Sequence, residues 1–345
     1  MMLPLVAIIL PIRNEAASIK TCLDAIIMQN YPQNLMNTLI IDGLSSDNSR
    51  ELIKIFLRDH PKFRYKIFDN PRKIVPTGMN IALRHALGEI IIRVDGHTII
   101  APDYIRQCVE ALQSSGADNV GGKMNAVGMN AFGRAVAIAT SSPFGVGGAR
   151  FHFSEKEEWV DTVYMGAWPR RVFEKIGLFD EELVRDQDDE FNYRLREAGG
   201  KILLSPKIKS EYTVRGTPKS LWKQYFQYGY WKVRVLQKHP RQMSLWQFVP
   251  PIFVFVLFLF PFLAIYPRLR IFAFLTPIAY LVANLSASIY GASRHGWRHL
   301  FLLLLVYAIL HLSYGLGFLV GLVRFWNRWG DKIGKVPRME MKSVG

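Results

Sequence analysis

The chain has 345 residues, half of them hydrophobic, and a formal net charge of +15. That is enough for one sizeable domain plus a smaller one, and the charge by itself suggests nucleic acid. Its distribution argues against that partner: residues 1–211 hold 26 Lys and Arg against 26 Asp and Glu, whereas residues 212–330 hold 13 bases and no acid.

The excess therefore belongs to an apolar C-terminal third, where it suits anionic lipid headgroups better than DNA. Two cysteines, Cys22 and Cys108, have no metal-ligand spacing and indicate only that disulfides are not needed, as on a cytosolic face. The apolar run Leu3–Ile12 lacks a basic leader and a cleavage site and is too short to span a bilayer. It reads as a first buried strand.

In chain order, strand-like segments at 5–10, 38–41, 65–68 and 89–94 alternate with helix-like ones at 17–29, 47–57 and 77–87. That is the pattern of an α/β, Rossmann-like domain with parallel strands. Ligands in such sheets bind beyond the carboxyl ends of the strands, which is where Pro11–Glu15, Asp42–Asp47 and Asp95–His97 fall. Gly121-Gly122 and the stretch 144–149 read as loops in which backbone approaches a ligand.

Residues 218–247 interleave Trp222, Tyr225, Trp231 and Trp246 with Lys219, Lys223, Arg234 and Arg241, without acids. This composition favours amphipathic helices at a membrane interface. Three apolar stretches follow, at 249–266, 271–290 and 300–323, free of Asp, Glu, Lys and Arg. Each approaches the ~20 residues that cross the hydrocarbon core.

The chain thus divides into a catalytic domain (1–217), interface helices (218–247), two or three transmembrane helices (248–324) and a basic tail (325–345). With the first domain inside, three crossings would put residues 324–345, with six bases and two acids, outside, against the positive-inside tendency. Alternatively, the first stretch, which holds Pro250, Pro251 and Pro261, re-enters and returns the tail to the cytoplasm.

Two constellations carry chemistry. Asp95 ends a strand in Arg93-Val94-Asp95-Gly96-His97, and with His97 as a second ligand it suits a hard cation held mainly by phosphate and water oxygens. The rival roles are a turn cap for Asp95 and a hydrogen-bonding group behind the site for His97. The second is Asp186-Gln187-Asp188-Asp189-Glu190. Mutual repulsion in such a cluster raises a carboxylate pKa and helps a base work near neutrality, although acids at a helix start also complement its dipole.

These motifs in this order, over about residues 4–240, resemble a family 2 glycosyltransferase of GT-A fold, the succinoglycan-biosynthesis type of membrane-anchored glucosyltransferase in particular. Pro11-Ile12-Arg13-Asn14-Glu15 stands at the family's nucleotide loop. Asp42–Asp47 stands at the segment whose first Asp faces uracil, with Leu44 for the usual Gly. Asp95-Gly96-His97 stands at the Asp-x-Asp metal motif, and Gln187-Asp188 where the family has Glu-Asp, whose Asp is the base.

The resemblance implies donor contacts from Pro11, Arg13, Asn14, Glu15, Asp42 and Asp95, and Mg²⁺ or Mn²⁺ at Asp95 and His97. Asp188 would be the catalytic base, supported by Asp186, Asp189 and Glu190, and Gly166, Trp168, Gln227 and Trp231 would meet the acceptor. It further implies inverting transfer from a UDP-sugar to a polyprenyl-linked saccharide at the cytoplasmic face of the inner membrane, in exopolysaccharide synthesis. A homo-oligomer is compatible with it. Gln227-Tyr228-Gly229-Tyr230-Trp231 resembles the Gln-x-x-Arg-Trp motif of processive synthases, with Tyr230 for Arg. The membrane helices that precede the catalytic domain in those enzymes are missing, so single-sugar addition is favoured. The alternatives are a polyprenyl-phosphate glycosyltransferase, a processive synthase and a non-catalytic membrane scaffold.

Overall fold

The computed structural model describes residues 3–331 and 334–339, which fall into two compact units. The first comprises the described parts of 1–125, 154–212 and 333–345, and the second 126–153 and 213–332.

The first unit is built on a nine-stranded sheet. Its parallel half alternates β1 (Val6–Ile12), α1 (Ile19–Ile27), β2 (Met36–Asp42), α2 (Ser49–Asp59), β3 (Tyr65–Asp69), α3 (Val75–His85) and β4 (Ile90–Arg93). β2 and β4 flank β1, and β3 lies outside β2. Val6 through Leu10 are inaccessible to solvent, as a strand covered on both faces requires. Pro11 lies past the last β1–β4 pair, Ile9 with Arg93, so its missing N–H breaks no ladder bond there.

The sheet continues with β5 (Thr98–Ile100), α4 (Tyr104–Ser115), β6 (Asn119–Val127), β7 (Glu158–Trp159), β8 (Tyr164–Pro169) and β9 (Ile202–Thr213). Here β8 runs antiparallel to β4 and β6, and β5 and β7 run antiparallel to β9. The sheet is therefore mixed, where the sequence pattern suggested parallel strands. Gly121 and Gly122 are not a ligand-facing loop but part of β6. A Cβ on Gly122 would lie 1.7 Å from the Ile208 carbonyl oxygen, so the glycines permit close strand approach.

In the second unit, α5 (Ala131–Thr140) precedes α6 (Pro143–Val146), so the 144–149 stretch is partly helical. A Cβ on Gly145 would lie 2.1 Å from the Ala139 carbonyl oxygen, which makes that glycine too a packing residue.

Back in the first unit, α7 (Arg171–Ile176) and α8 (Gln187–Glu197) pack beside the sheet. Trp168 on β8 is 2% exposed and meets Phe173, Phe179 and Phe191 edge-on, with centroids 5.7 to 6.3 Å apart. Gly166, at φ +95°, leaves room for that indole, since a Cβ there would come 2.4 Å from the ring. Two of the four residues expected to meet an acceptor, Gly166 and Trp168, thus sit in the core. The sequence conceals this because an aromatic beside a glycine has the same appearance in a binding loop and in a core.

α8 also divides the acidic cluster. Glu190 is buried and pairs with Arg194, whose guanidinium also donates to the carbonyls of Ile176 and Leu178. It anchors the preceding turn and is no support for a base. That turn receives the tail: Lys335 N–H donates to Asp180 Oδ1 (2.8 Å), and Glu181 and Leu178 N–H donate to the carbonyls of Lys335 and Pro337 (both 2.9 Å). Residues 334–339 thus belong to the first unit rather than forming a separate basic tail.

The second unit continues with α9 (Pro218–Lys238), α10 (Val249–Ile265), α11 (Pro267–His295) and α12 (Leu300–Arg324). α9 lies along α12: glycines at 229, 317 and 321 bring the backbones so close that a Cβ would sit 2.0 to 2.6 Å from a carbonyl oxygen of the other helix. Lys232, Arg234 and Lys238 are consequently buried, unlike the exposed basic face the composition suggested. Arg234 donates to Gln237 and to the Arg328 and Asp331 carbonyls, with Phe325 beneath its guanidinium.

Removing one partner of a buried ion pair costs ~3–5 kcal/mol. Glu190→Ala should therefore lower the unfolding free energy by that order, while Asp189→Asn, on the half-exposed side of α8, should leave it nearly unchanged. Denaturant titration of the detergent-solubilised protein checks both.

Candidate active site

The carboxyl ends of β1 and β2 carry two loops that hold each other. Asn14, in the left-handed region at φ 58°, receives Ser46 N–H on its Oδ1 (2.8 Å), and its own N–H donates to Ser45 Oγ (2.9 Å). Glu15 N–H donates to Ser49 Oγ (2.7 Å) and Ala16 N–H to Asp47 Oδ2 (3.0 Å). The Ser49 hydroxyl and the amides of Ala16 and Ser49 hold the Asp47 carboxyl below its ordinary range. Hydroxyls and amides thus replace the ladder once the strands end.

Asp42 is 1% exposed at the end of β2. Its Oδ1 accepts from the Ser45 N–H and hydroxyl, and Arg50 reaches its Oδ2 (3.4 Å) and Asp69 (2.6 Å). Both oxygens are thus engaged within the loop. Leu44, at φ 53°, occupies a conformation that suits glycine better. Arg13 is exposed, and its Cβ lies 3.2 Å from where a Gly43 Cβ would be, so a larger residue at 43 would press on the Arg13 loop.

Beyond β4 the chain turns through Asp95-Gly96-His97, closed by Thr98 N–H to the Asp95 carbonyl. A Cβ on Gly96 would touch Ile12 and Glu15 at 2.9 and 3.1 Å, so this turn is pressed onto the β1 loop. His97 Nδ1 meets Glu15 Oε1 at 3.0 Å. A carboxylate there favours the proton on Nδ1 and puts the lone pair on Nε2, the arrangement that orients metal-ligating histidines.

One residue joins the two acidic motifs. The Arg93 side chain is 6% exposed; its Nε donates to Asp95 Oδ1 (2.7 Å) and its Nη1 to Asp188 Oδ1. Burial alone would lower its pKa, but Asp188 and Asp95 outweigh that and keep it firmly charged. Asp188 lies in the first turn of α8, after Asp186 at φ 58°. Burial raises its pKa, Arg93 opposes the rise, and Asp95 and Asp189 add to it; the net shift is upward. Burial, rather than repulsion within the cluster, is thus the leading cause. Gln187 is buried and turns its Nε2 toward Asp188 Oδ2 (3.4 Å).

The structure therefore brings Asp95 and Asp188 onto one guanidinium, with Glu15 and His97 beside the same turn. Arg93 was passed over in the sequence because an arginine inside an apolar strand carries no motif; its place two residues before Asp95 was the available signal. Gln227 and Trp231 lie on α9 in the second unit, where Trp231 packs against Phe325 and Tyr230.

Among the described residues no group of three His, Cys, Asp or Glu side chains could hold a metal ion. Asp95, with one oxygen on Arg93, and His97, braced by Glu15, fit a cation whose remaining ligands are phosphate and water oxygens.

Known proteins bear on this arrangement. The chain is 30% identical over 245 residues to the succinoglycan biosynthesis protein ExoA of Rhizobium meliloti, covering 70% of this chain and 73% of that protein. It is 28% identical over 239 residues (68% and 74% of the two chains) to a Methanococcus voltae dolichyl N-acetyl-α-D-glucosaminyl phosphate 3-β-D-2,3-diacetamido-2,3-dideoxy-β-D-glucuronosyltransferase. The fold is similar to that of a Pyrobaculum calidifontis mannosyltransferase, solved with GDP-Man and Mn²⁺, at a TM-score of 0.58 and 19% identity over 92% of this chain and 88% of that one. Residues 7–177 match the family described as Glycosyl transferase family 2. With a GT-A-like sheet carrying the interlocked loops at 13–16 and 42–49 and an Asp95 and Asp188 joined through Arg93, the chain belongs to glycosyl transferase family 2 and is a glycosyltransferase.

Proposed function

We propose that the protein transfers a hexose from a UDP-sugar, with inversion, to a lipid-linked saccharide at the cytoplasmic face of the cell membrane, in glycan or exopolysaccharide synthesis. The observation that carries this reading is the Arg93 bridge between Asp95 and Asp188. A carboxylate on the donor side and a carboxylate of raised pKa on the acceptor side are held a guanidinium's width apart, as a single displacement requires. The names of the relatives from Rhizobium meliloti and Methanococcus voltae support glycan synthesis, and the latter's name supports a lipid-linked sugar as acceptor.

In this mechanism the loops at 13–16 and 42–49 hold the nucleotide. Asp188 takes the proton of the acceptor hydroxyl as its oxygen bonds to the anomeric carbon, and the bond to the diphosphate oxygen breaks on the opposite side. Asp95 and His97 would hold Mg²⁺ or Mn²⁺, which when bound neutralises charge on the leaving diphosphate. Arg93 keeps Asp188 in place and moderates its basicity. Lipid attachment through the apolar helices fits an acceptor that itself resides in the bilayer.

Loss of a general base typically costs ~10²–10⁴-fold in rate. Asp188→Asn should show a fall of that order, with near-normal UDP-sugar affinity by calorimetry; full activity would refute the assignment of the base. The acceptor reading predicts a product that extracts with lipid when membranes are given radiolabelled UDP-sugars.

Because Asp188 acts deprotonated and its pKa is raised, the wild-type rate should fall with acid at a pH above the ordinary carboxylate range. A pH–rate profile under saturating donor checks this.

Asp95→Ala should abolish transfer in a folded, membrane-bound protein, and EDTA should inactivate the wild type until Mn²⁺ or Mg²⁺ is restored. Undiminished transfer in EDTA would remove the metal from the reading.

A further inference from the structure

We infer that the bilayer is entered by the α10–α11 hairpin alone, which crosses and returns, while α12 stays on the catalytic side. The first observation is the tail. Residues 335–337 exchange three hydrogen bonds with residues 178–181, and Val336 packs on Gly177. A segment bonded at 2.8 to 2.9 Å to the catalytic unit lies on that unit's side of any membrane. The chain leaves the same unit at the end of β9. Between those points it must cross an even number of times, although three helices are long and apolar enough to cross.

The second observation decides which helix stays behind. Half of the most apolar window of α12 is buried, against 11% for α10 and 18% for α11. Its covering carries polar groups along its length and a charged one at its C-terminal end. Tyr307 hydroxyl meets Ser142 Oγ (3.1 Å), His311 Nε2 meets the Phe144 carbonyl (2.8 Å), and the 314–325 half lies against α9. Taking α12 through hydrocarbon would carry the Ser142, Phe144 and His311 polar contacts with it and bring buried Arg234, which sits beside the 325–331 end, to the edge of a bilayer core that strongly rejects such groups.

α10 and α11 are covered on one side only: Pro250 backs onto Gly315 of α12, Tyr280 hydroxyl meets His311 Nδ1 (3.1 Å) and Asn284 Nδ2 donates to the Leu304 carbonyl (3.1 Å), while their other faces stay apolar and open. They join at Tyr266 and run antiparallel, with Phe253 stacked on Tyr280 (4.2 Å) and Phe260 on edge to Phe274 (5.1 Å). Phe255, Phe262, Leu275 and Leu281 are all more than half exposed. The 17 residues of α10 reach the lower end of a hydrocarbon span. With this topology only Arg268 and Arg270, at the hairpin tip, emerge on the far side. Eleven of the 13 bases of residues 212–330 remain with the catalytic unit, in keeping with the positive-inside tendency.

This inference uses the lipid attachment in the proposed function and nothing of its chemistry. The test is cysteine labelling of the full chain in intact spheroplasts with a membrane-impermeant maleimide, against the buried Cys22 and Cys108. Leu269→Cys or Arg268→Cys, at the tip, should label without permeabilisation. Arg338→Cys and Lys156→Cys should label only after it. Labelling of Arg338→Cys from outside would overturn the even count of crossings. A tip protected until permeabilisation would overturn the crossing hairpin. Neither outcome depends on sugar transfer, so an inactive variant still reports.

Discussion

A charged guanidinium at the end of a buried strand is costly unless carboxylates come to it, and Arg93 is in that position. Withdrawing such an ion from water costs several kcal/mol, which its partners must offset with well-formed hydrogen bonds. One partner, Asp95, arrives by chain connectivity. The other, Asp188, is contributed by a helix 95 residues away in sequence, so satisfying Arg93 is also what brings the second half of the sheet unit onto the first. The demand of a buried cation and the demand for two paired carboxylates are met by the same contacts. This explains why Asp188 differs from its neighbours: Glu190, two residues on, is turned to Arg194 and the 176–178 turn, and the two acids never compete for one role.

The loops at the carboxyl ends of β1 and β2 follow a different rule. Where β1 and β2 end, their backbone groups lose ladder partners, and short side chains supply them: Asn14, Ser45, Ser49 and Asp47 close the gap in both directions. Fixed loops of this kind suit a ligand whose polar groups must be met without reorganisation. Arg50, spanning Asp42 and Asp69, ties the ends of β2 and β3 to the same frame.

What the sequence made legible follows from the range of each signal. Strands β1 to β4 and their helices were readable because burial on both faces writes continuous apolar runs, and the motifs lie at the ends of those runs. The antiparallel half was not, because β6, β8 and β9 owe their pairing to glycines 121, 122 and 166 and to an aromatic cluster assembled from distant segments. Trp168 and Gly166 were misread for that reason: each is explained by a neighbour some distance along the chain. The acidic cluster was legible as a segment, but which acid faces which partner depends on helix phase relative to Arg93 and Arg194, and repulsion between neighbours in sequence says nothing of phase.

The apolar third shows the same limit in another form. Composition identified three helices able to span a bilayer, and basic residues beside them, but it treats each helix alone. Burial of Lys232, Arg234 and Lys238 beside α12 couples a charged helix to an apolar one, so the hydropathy of α12 no longer decides its environment. The glycines that let α9 and α12 touch thus convert an apparent span into the buried face of a protein-packed pair. The apolar surface that remains uncovered, on α10 and α11, has no protein partner among the described residues, and hydrocarbon is the solvent in which such a surface is stable.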